Sequence, residues 1–205
     1  EVGHNNQGTI NLEGGTEVSN NLFSNFCRFL TGNVTSAGEA LSSSMYEYAQ
    51  GIPFAKRGGL MRMYYQLYLY YHLGQRNTSF FPELFKELRK DPLTDRYKNT
   101  NNSSLKFVRK VCEIAQEDLT DFFEAWGFFK TCNNLKISDY GNYTMTVKIS
   151  DINRTKATIA KYTRKNREIL FVEDRVDYVP RQGYFALPGK ERRDSHLVGQ
   201  CGDLG

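Results

Sequence analysis

The residues able to do chemistry sit at the start of the chain, in the run Glu1-Val2-Gly3-His4-Asn5-Asn6-Gln7. On a helix, residues four apart project from one face, one turn apart. A His-Glu-x-x-His pattern therefore brings two imidazoles to one metal ion and sets the glutamate beside the ion's bound water. This chain has the Glu and the second His of that pattern, and the first His is expected immediately before Glu1. By itself Glu-x-x-His is a weak signal, and His4 read alone is a histidine near a helix end. A catalytic zinc takes three protein ligands and leaves a fourth position for water. Glu17 lies thirteen positions after His4, beyond the Gly-rich stretch Glu13-Gly14-Gly15-Thr16. A turn there would fold a second helix back onto the first and make Glu17 the third ligand. Glu13 competes for that role but falls in the turn itself. The plain reading of Glu17 is an acid favoured by the helix dipole, and both readings are compatible.

The elements that must position these groups follow from periodicity. Residues 1–8 read as the end of a helix running into Gly8. A second helix is expected over 17–30, with Thr16 as its N-cap, Gly32 as its stop, and Leu22, Phe23, Phe26 and Phe29-Leu30 on its apolar face. Residues 31–58 read as a long polar connection. Leu60 to Leu73 is apolar almost all round, as a buried helix is, with Arg62 and Gln66 sharing one polar stripe. That stripe faces either a cleft or a polar seam between helices. Pro82 suits a first helical turn, and Pro92 ends the helix it opens. Ser104 is expected to cap a helix carrying Leu105, Val108, Val111, Cys112 and Ala115. A short helix follows at 119–126, stopped by Gly127.

Beyond Gly127, Tyr143, Met145, Val147 and Ile149 alternate with polar residues, which is strand periodicity. Asp151 is expected to cap one more helix, to about residue 162. Ile169–Val172 and Val176–Val179 read as a hairpin. The fold class is mainly α with a small β element near the end. Three regions are expected: active-site helices over 1–30, a helical subdomain over 31–165, and short strands with a weakly specified tail over 166–205.

Composition narrows the remaining classes. Of 205 residues, 40% are apolar and 24% charged, which suits a globular domain with a real core. No run approaches the length of a membrane-spanning helix. The net charge of +4 is spread out, apart from loose clusters at Lys161–Arg167 and Lys190–Arg193. Such scatter reads as a solvated surface, and no nucleic-acid partner is expected. Cys27, Cys112, Cys132 and Cys201 form no Cys-x-x-Cys pair, so they read as buried thiols, with a disulfide between some pair left open. Asn33, Asn77, Asn142 and Asn153 head Asn-x-Ser/Thr triplets, which matter only in a eukaryotic secretory host.

Several segments in order carry a resemblance. Glu1-Val2-Gly3-His4-Asn5-Asn6-Gln7, then Thr16-Glu17-Val18-Ser19-Asn20-Asn21-Leu22-Phe23, resembles the enhancin-like zinc metallopeptidases of the M-sixty family, which includes mucin-degrading bacterial enzymes. Tyr65-Gln66-Leu67-Tyr68-Leu69, Phe81-Pro82-Glu83-Leu84 and Leu88-Arg89 are similar to the family's next helices. Asp118-Leu119-Thr120-Asp121-Phe122-Phe123-Glu124-Ala125-Trp126-Gly127 resembles a further segment, with Asp118 where that pattern has Asn. Asp139-Tyr140-Gly141 and Ile152–Ala160 fit its closing stretch.

The resemblance covers about residues 1–175. It implies the helical C-terminal part of a zincin-like (gluzincin) catalytic domain, with Zn2+ as cofactor, Glu1 as general base, and His4 and Glu17 as zinc ligands. Asn20 and Asn21, one turn beyond Glu17, are candidates to hold its carboxylate. Trp126 reads as a core anchor beside Phe122 and Phe123 rather than a substrate platform. The implied protein is secreted or at the cell surface and cuts O-glycosylated, mucin-like glycoproteins. With only two ligands, the chain by itself is expected to bind metal weakly and to lack useful activity. The other reading is a non-catalytic helical module that binds protein or glycan.

Overall fold

The computed structural model describes residues 10, 12, 15–30, 60–75, 77–93, 103–138, 142–175, 177–179 and 184–186. Helix α1 is Thr16–Leu30 and helix α2 is Leu60–Leu67, which continues directly into a π-helical segment, Tyr68–Gly74. Then come α3 (Phe80–Lys90), α4 (Ser103–Ala115) and α5 (Thr120–Ala125). Strands β1 (Cys132–Ser138) and β2 (Asn142–Val147) form a hairpin, followed by α6 (Ile149–Ile159). A 3-10 segment, Glu168–Arg175, leads to a second small hairpin of β3 (Asp177–Val179) and β4 (Tyr184–Ala186).

The centre of the molecule is α2 with its π extension. Met63, Tyr64, Tyr65, Gln66, Leu67, Tyr68, Leu69 and Tyr71 are all buried there. An element buried on every side needs neighbours on every side, and it has them: α1 and the 3-10 segment lie against α2, while α3 and the same 3-10 segment lie against the π turns. Each buried large apolar side chain contributes roughly 1.5–3 kcal/mol. Phe80, Phe81, Leu84, Phe85 and Leu88 of α3 and Leu105, Phe107, Val108 and Val111 of α4 extend that core. Phe107, Phe122, Phe123 and Phe128 close it with edge-on and stacked rings 5.0 to 6.1 Å apart.

The single long helix expected over Leu60–Leu73 changes winding at Tyr68. The Gln75 N–H reaches back five residues to the Tyr70 carbonyl at 3.1 Å, the π pattern. This segment carries the rings of Tyr68, Tyr70, Tyr71 and His72. Tyr71 stacks on Phe80 at 4.7 Å, and Tyr68 stacks on His72 at 4.9 Å.

Several boundaries depart from expectation. Thr16 and Ser104 lie inside their helices rather than ahead of them, and Ser103 and Ser104 are buried. Helix α6 begins at Ile149 and ends at Ile159, so Asp151 sits in its first turn instead of capping it. Ile149 leaves the strand and is 62% exposed, because β2 stops at Val147. The alternation of Tyr143 to Val147 holds, with Met145 and Val147 buried, and its partner is the unforeseen strand β1. A bulge in β1 between Cys132 and Leu135 puts Asn134 at φ 48, a conformation that Asn tolerates. Gly127, at φ 80, ends α5 where a side chain would strain the backbone. Asp118 accepts hydrogen bonds at one oxygen from the Thr120 N–H (2.9 Å) and hydroxyl (2.5 Å), so it starts that helix.

Ile169–Val172 is not a strand. It is 3-10 helical, with Ile169, Leu170 and Val172 all buried, and the strand pairing falls later, between 177–179 and 184–186. A short apolar run carries no period strong enough to separate the two outcomes. Of the four cysteines, Cys112 is a buried free thiol, Cys132 is half-buried, and Cys27 is exposed, against the expectation of burial. Cys201, Gly32, Asp139-Tyr140-Gly141, and the connection at 31–58 lie outside the described residues.

Candidate metal centre

Glu17 is presented by the head of α1, and the head of α1 is held by the short approach to it. Ile10 and Leu12 are buried. The Gly15 N–H donates to the Leu12 carbonyl at 2.9 Å, and the Ser19 N–H donates to the Gly15 carbonyl at 2.9 Å. The Ser19 hydroxyl, buried, reaches the Gly15 carbonyl at 3.1 Å and the Thr16 carbonyl at 3.2 Å. A Cβ at Gly15 would come within 3.1 Å of the Leu12 carbonyl oxygen, a tight contact. The first turn of α1 is thus tied to a segment anchored in the core.

Helical spacing then sorts its faces. Ser19 and Leu22, three apart, are buried; Glu17, Asn21 and Ser24, at intervals of four and three, are exposed; Asn20 lies half-buried between. Farther along, Phe23 meets Phe85 of α3 with centroids 5.4 Å apart. Glu17 stands in the first turn, where the positive end of the helix dipole favours a carboxylate.

Of the expected donor set, only Glu17 falls among the described residues; Glu1 and His4 lie outside them. Among the described residues, no three His, Cys, Asp or Glu side chains converge as a metal-binding group. The described part of the set is a single carboxylate, a hard oxygen donor of the kind zinc accepts. Glu17 is a carboxylate on an exposed face, on a helix whose first turn is fixed by four hydrogen bonds, and two amides follow it by one turn.

Gln66, whose stripe pointed either to a cleft or to a seam, belongs to a seam. Its side-chain oxygen accepts from the Trp126 indole N–H at 2.8 Å, and its nitrogen donates to the Leu170 carbonyl at 3.1 Å. Trp126 is buried beside Phe122 and Phe123, as a core anchor is. The side chain of Arg62 lies outside the description.

A second buried polar cluster had no signal in the sequence. The Tyr71 hydroxyl donates to a Glu117 carboxylate oxygen at 2.5 Å, and the Asn166 amide donates to the same oxygen at 2.6 Å. Arg164 meets the other carboxylate oxygen at 3.0 Å. Burial, then the Glu117 carboxylate, pushes the Tyr71 phenol well above its ordinary range, so it remains a donor. The partners lie 46 and 49 residues apart in sequence, beyond the reach of any local pattern.

With these groups in place, comparison with known proteins is decisive. The profile of Peptidase M60, enhancin and enhancin-like, matches residues 1–127, more than half of the chain. The chain belongs to this family. Its fold agrees with solved structures of metallopeptidases. One, solved in complex with Tn antigen, is 32% identical and superposes with a TM-score of 0.69 over 82% of this chain and 33% of its own. Another, from Bacteroides thetaiotaomicron, is 32% identical with a TM-score of 0.68, over 81% of this chain and 29% of its own. The chain therefore spans about a third of the length of these relatives. No curated protein matches it. Both of these solved relatives are metallopeptidases.

Proposed function

We propose that this M60 chain supplies part of the zinc site of an endopeptidase that cuts O-glycosylated, mucin-like proteins outside the cell or at its surface. The observation that carries the reading is Glu17, exposed at the head of α1 and fixed there by the Leu12–Gly15–Ser19 bonds, in a chain of a metallopeptidase family. His4 and Glu17 would hold the ion, with a histidine directly before Glu1 as the further protein ligand. When bound, zinc acidifies water to a pKa of about 7 and polarises the scissile carbonyl. Glu1 takes the proton from water and passes it to the leaving amine. Asn20 and Asn21, one turn beyond Glu17, would hold its carboxylate by donating from their amides. The Tn antigen bound by a solved relative supports a glycan-bearing substrate.

The test is metal content of a longer form of the chain that includes the residue before Glu1, with and without Glu17→Ala. About one zinc per chain is expected in the parent, with a marked loss in the variant. Equal zinc in both removes Glu17 from the site. An unaltered O-glycosylated glycoprotein after incubation with the zinc-loaded parent would leave only a binding module.

A further inference from the structure

The segment that follows α6 carries a concentration of positive charge that the peptidase chemistry does not use. Lys161, Arg164, Lys165 and Arg167 fall within seven residues, and all four are exposed. Their backbone is held in place. The Asp118 N–H donates to the Arg164 carbonyl at 2.8 Å, and the Asn166 N–H donates to the Asp118 carbonyl at 3.1 Å, a parallel bridge of one residue pair. Side chains alternate about this bridge. Arg164 turns to Glu117, and Asn166 is buried against Glu117 and Tyr71. Lys165 and Arg167, between and after them, turn the other way, into solvent. In an extended backbone, residues two apart on one side lie roughly 7 Å from each other.

Among the described residues, Arg164 alone of the four cations has an acidic partner. Lys161 lies over the Tyr162 ring at 4.9 Å, and Lys165 and Arg167 pair with no carboxylate. Neighbouring cations on the preceding helix differ: Arg154 is near Asp151 and Lys156 near Glu124. The acid beside the group in sequence is Glu168, exposed at the start of the 3-10 segment. Three cations with no carboxylate partner among the described residues, on an immobilised strap, form a positive surface too small for a track along nucleic acid, whose binding rests on many phosphate contacts. Sparse anions suit it better.

We propose that this strap is an exosite for acidic glycoproteins, taking the carboxylate or sulfate groups of glycans on Lys161, Lys165 and Arg167. The proposal rests on the glycoprotein reading above and names the charge class of that substrate. The strap raises the local concentration of acidic glycoprotein and leaves the bond-breaking step untouched.

The experiment uses the intact protein carrying Glu1→Gln, so that binding is read without cleavage and independently of whether the peptidase reading holds. Binding to an acidic mucin is compared for this parent, for Lys161→Ser/Lys165→Ser/Arg167→Ser, and for the charge-keeping Lys161→Arg/Lys165→Arg/Arg167→Lys. At low salt the serine variant should bind about tenfold more weakly, while the charge-keeping variant matches the parent. The gap should close near 1 M salt, where the Debye length is about 3 Å. Both should bind equally to the same mucin stripped of sialic acid and sulfate. Equal affinity of parent and serine variant for the acidic mucin overturns the exosite. So does an equal loss on stripped mucin.

Discussion

The indole of Trp126 donates to the side chain of Gln66 across 2.8 Å, and that single buried amide goes on to hold the Leu170 carbonyl at 3.1 Å. Residues 60 and 104 positions apart are thereby clasped around α2, the element on which α1 rests. Replacing Gln66 by Leu keeps volume but strands an indole N–H and a carbonyl. At about 1–3 kcal/mol for each stranded group, Gln66→Leu should cost about 2–6 kcal/mol in urea unfolding. Trp126→Phe should cost less than Gln66→Leu, and the double variant less than the sum of the two. Additive losses would mean that the two side chains do not act through this bond.

The family match ends at residue 127, yet the strap that follows α6 closes both buried polar clusters. A chain cut after residue 160 loses the Leu170 carbonyl, Asn166 and Arg164 at once. It leaves Gln66, Glu117 and Tyr71 buried without these partners. Such a chain is expected to lose cooperative thermal unfolding and to be digested rapidly by protease, while the chain cut after residue 175 keeps both properties. A cooperative melt for the shorter chain would show the strap to be dispensable.

Acid should weaken the fold through His72. Burial holds its imidazole pKa below the ordinary 6.5. Between that lowered value and 6.5, the unfolded chain binds a proton that the folded chain does not, so stability falls as pH falls through this window. His72→Phe preserves the stacking on Tyr68 and removes the titrating group. The urea midpoint of the parent should drop more than that of the variant between neutral pH and pH about 5. Parallel losses would assign the acid sensitivity to other groups.

Gly15 is where fold and site meet. A methyl group there would press on the Leu12 carbonyl at 3.1 Å, and Leu12 is anchored in the core, so the head of α1 must give way. Gly15→Ala should lower zinc affinity in the metal-binding form while changing the thermal midpoint little. Unchanged zinc affinity would separate this turn from the site.

Glu1→Gln distinguishes a base from a ligand. If Glu1 moves the proton, the variant keeps its zinc and loses about 10²–10⁴-fold in cleavage rate. Loss of zinc along with activity would place Glu1 on the metal instead.

Much of the α scaffold was legible because it is written in local spacing. Helix α1 runs over Thr16–Leu30 against an expected 17–30, and α3, α4 and α5 fall close to their apolar stripes and breakers. The strand at Asn142–Val147 shows its period of two in side chains that are buried on one face only. What escaped has no local period. The π segment differs from α-helix only in how far each N–H reaches. The Ile169–Val172 run buries its apolar side chains in a 3-10 turn as readily as a strand would. Near Glu17, the helix that carries it was legible from its apolar spacing, whereas the Ser19 hydroxyl that steadies its first turn was not.

By itself, the amino-acid order determined most of the described helices and their buried faces, since each depends on residues within a few turns of one another. Only the tertiary structure decided that Gln66 serves a seam, that Glu117 gathers Tyr71, Asn166 and Arg164, and that Lys165 and Arg167 are left facing water. Those outcomes turn on which distant segments meet. Buried polar groups must find partners wherever the chain brings them, and no spacing along the sequence records where that will be.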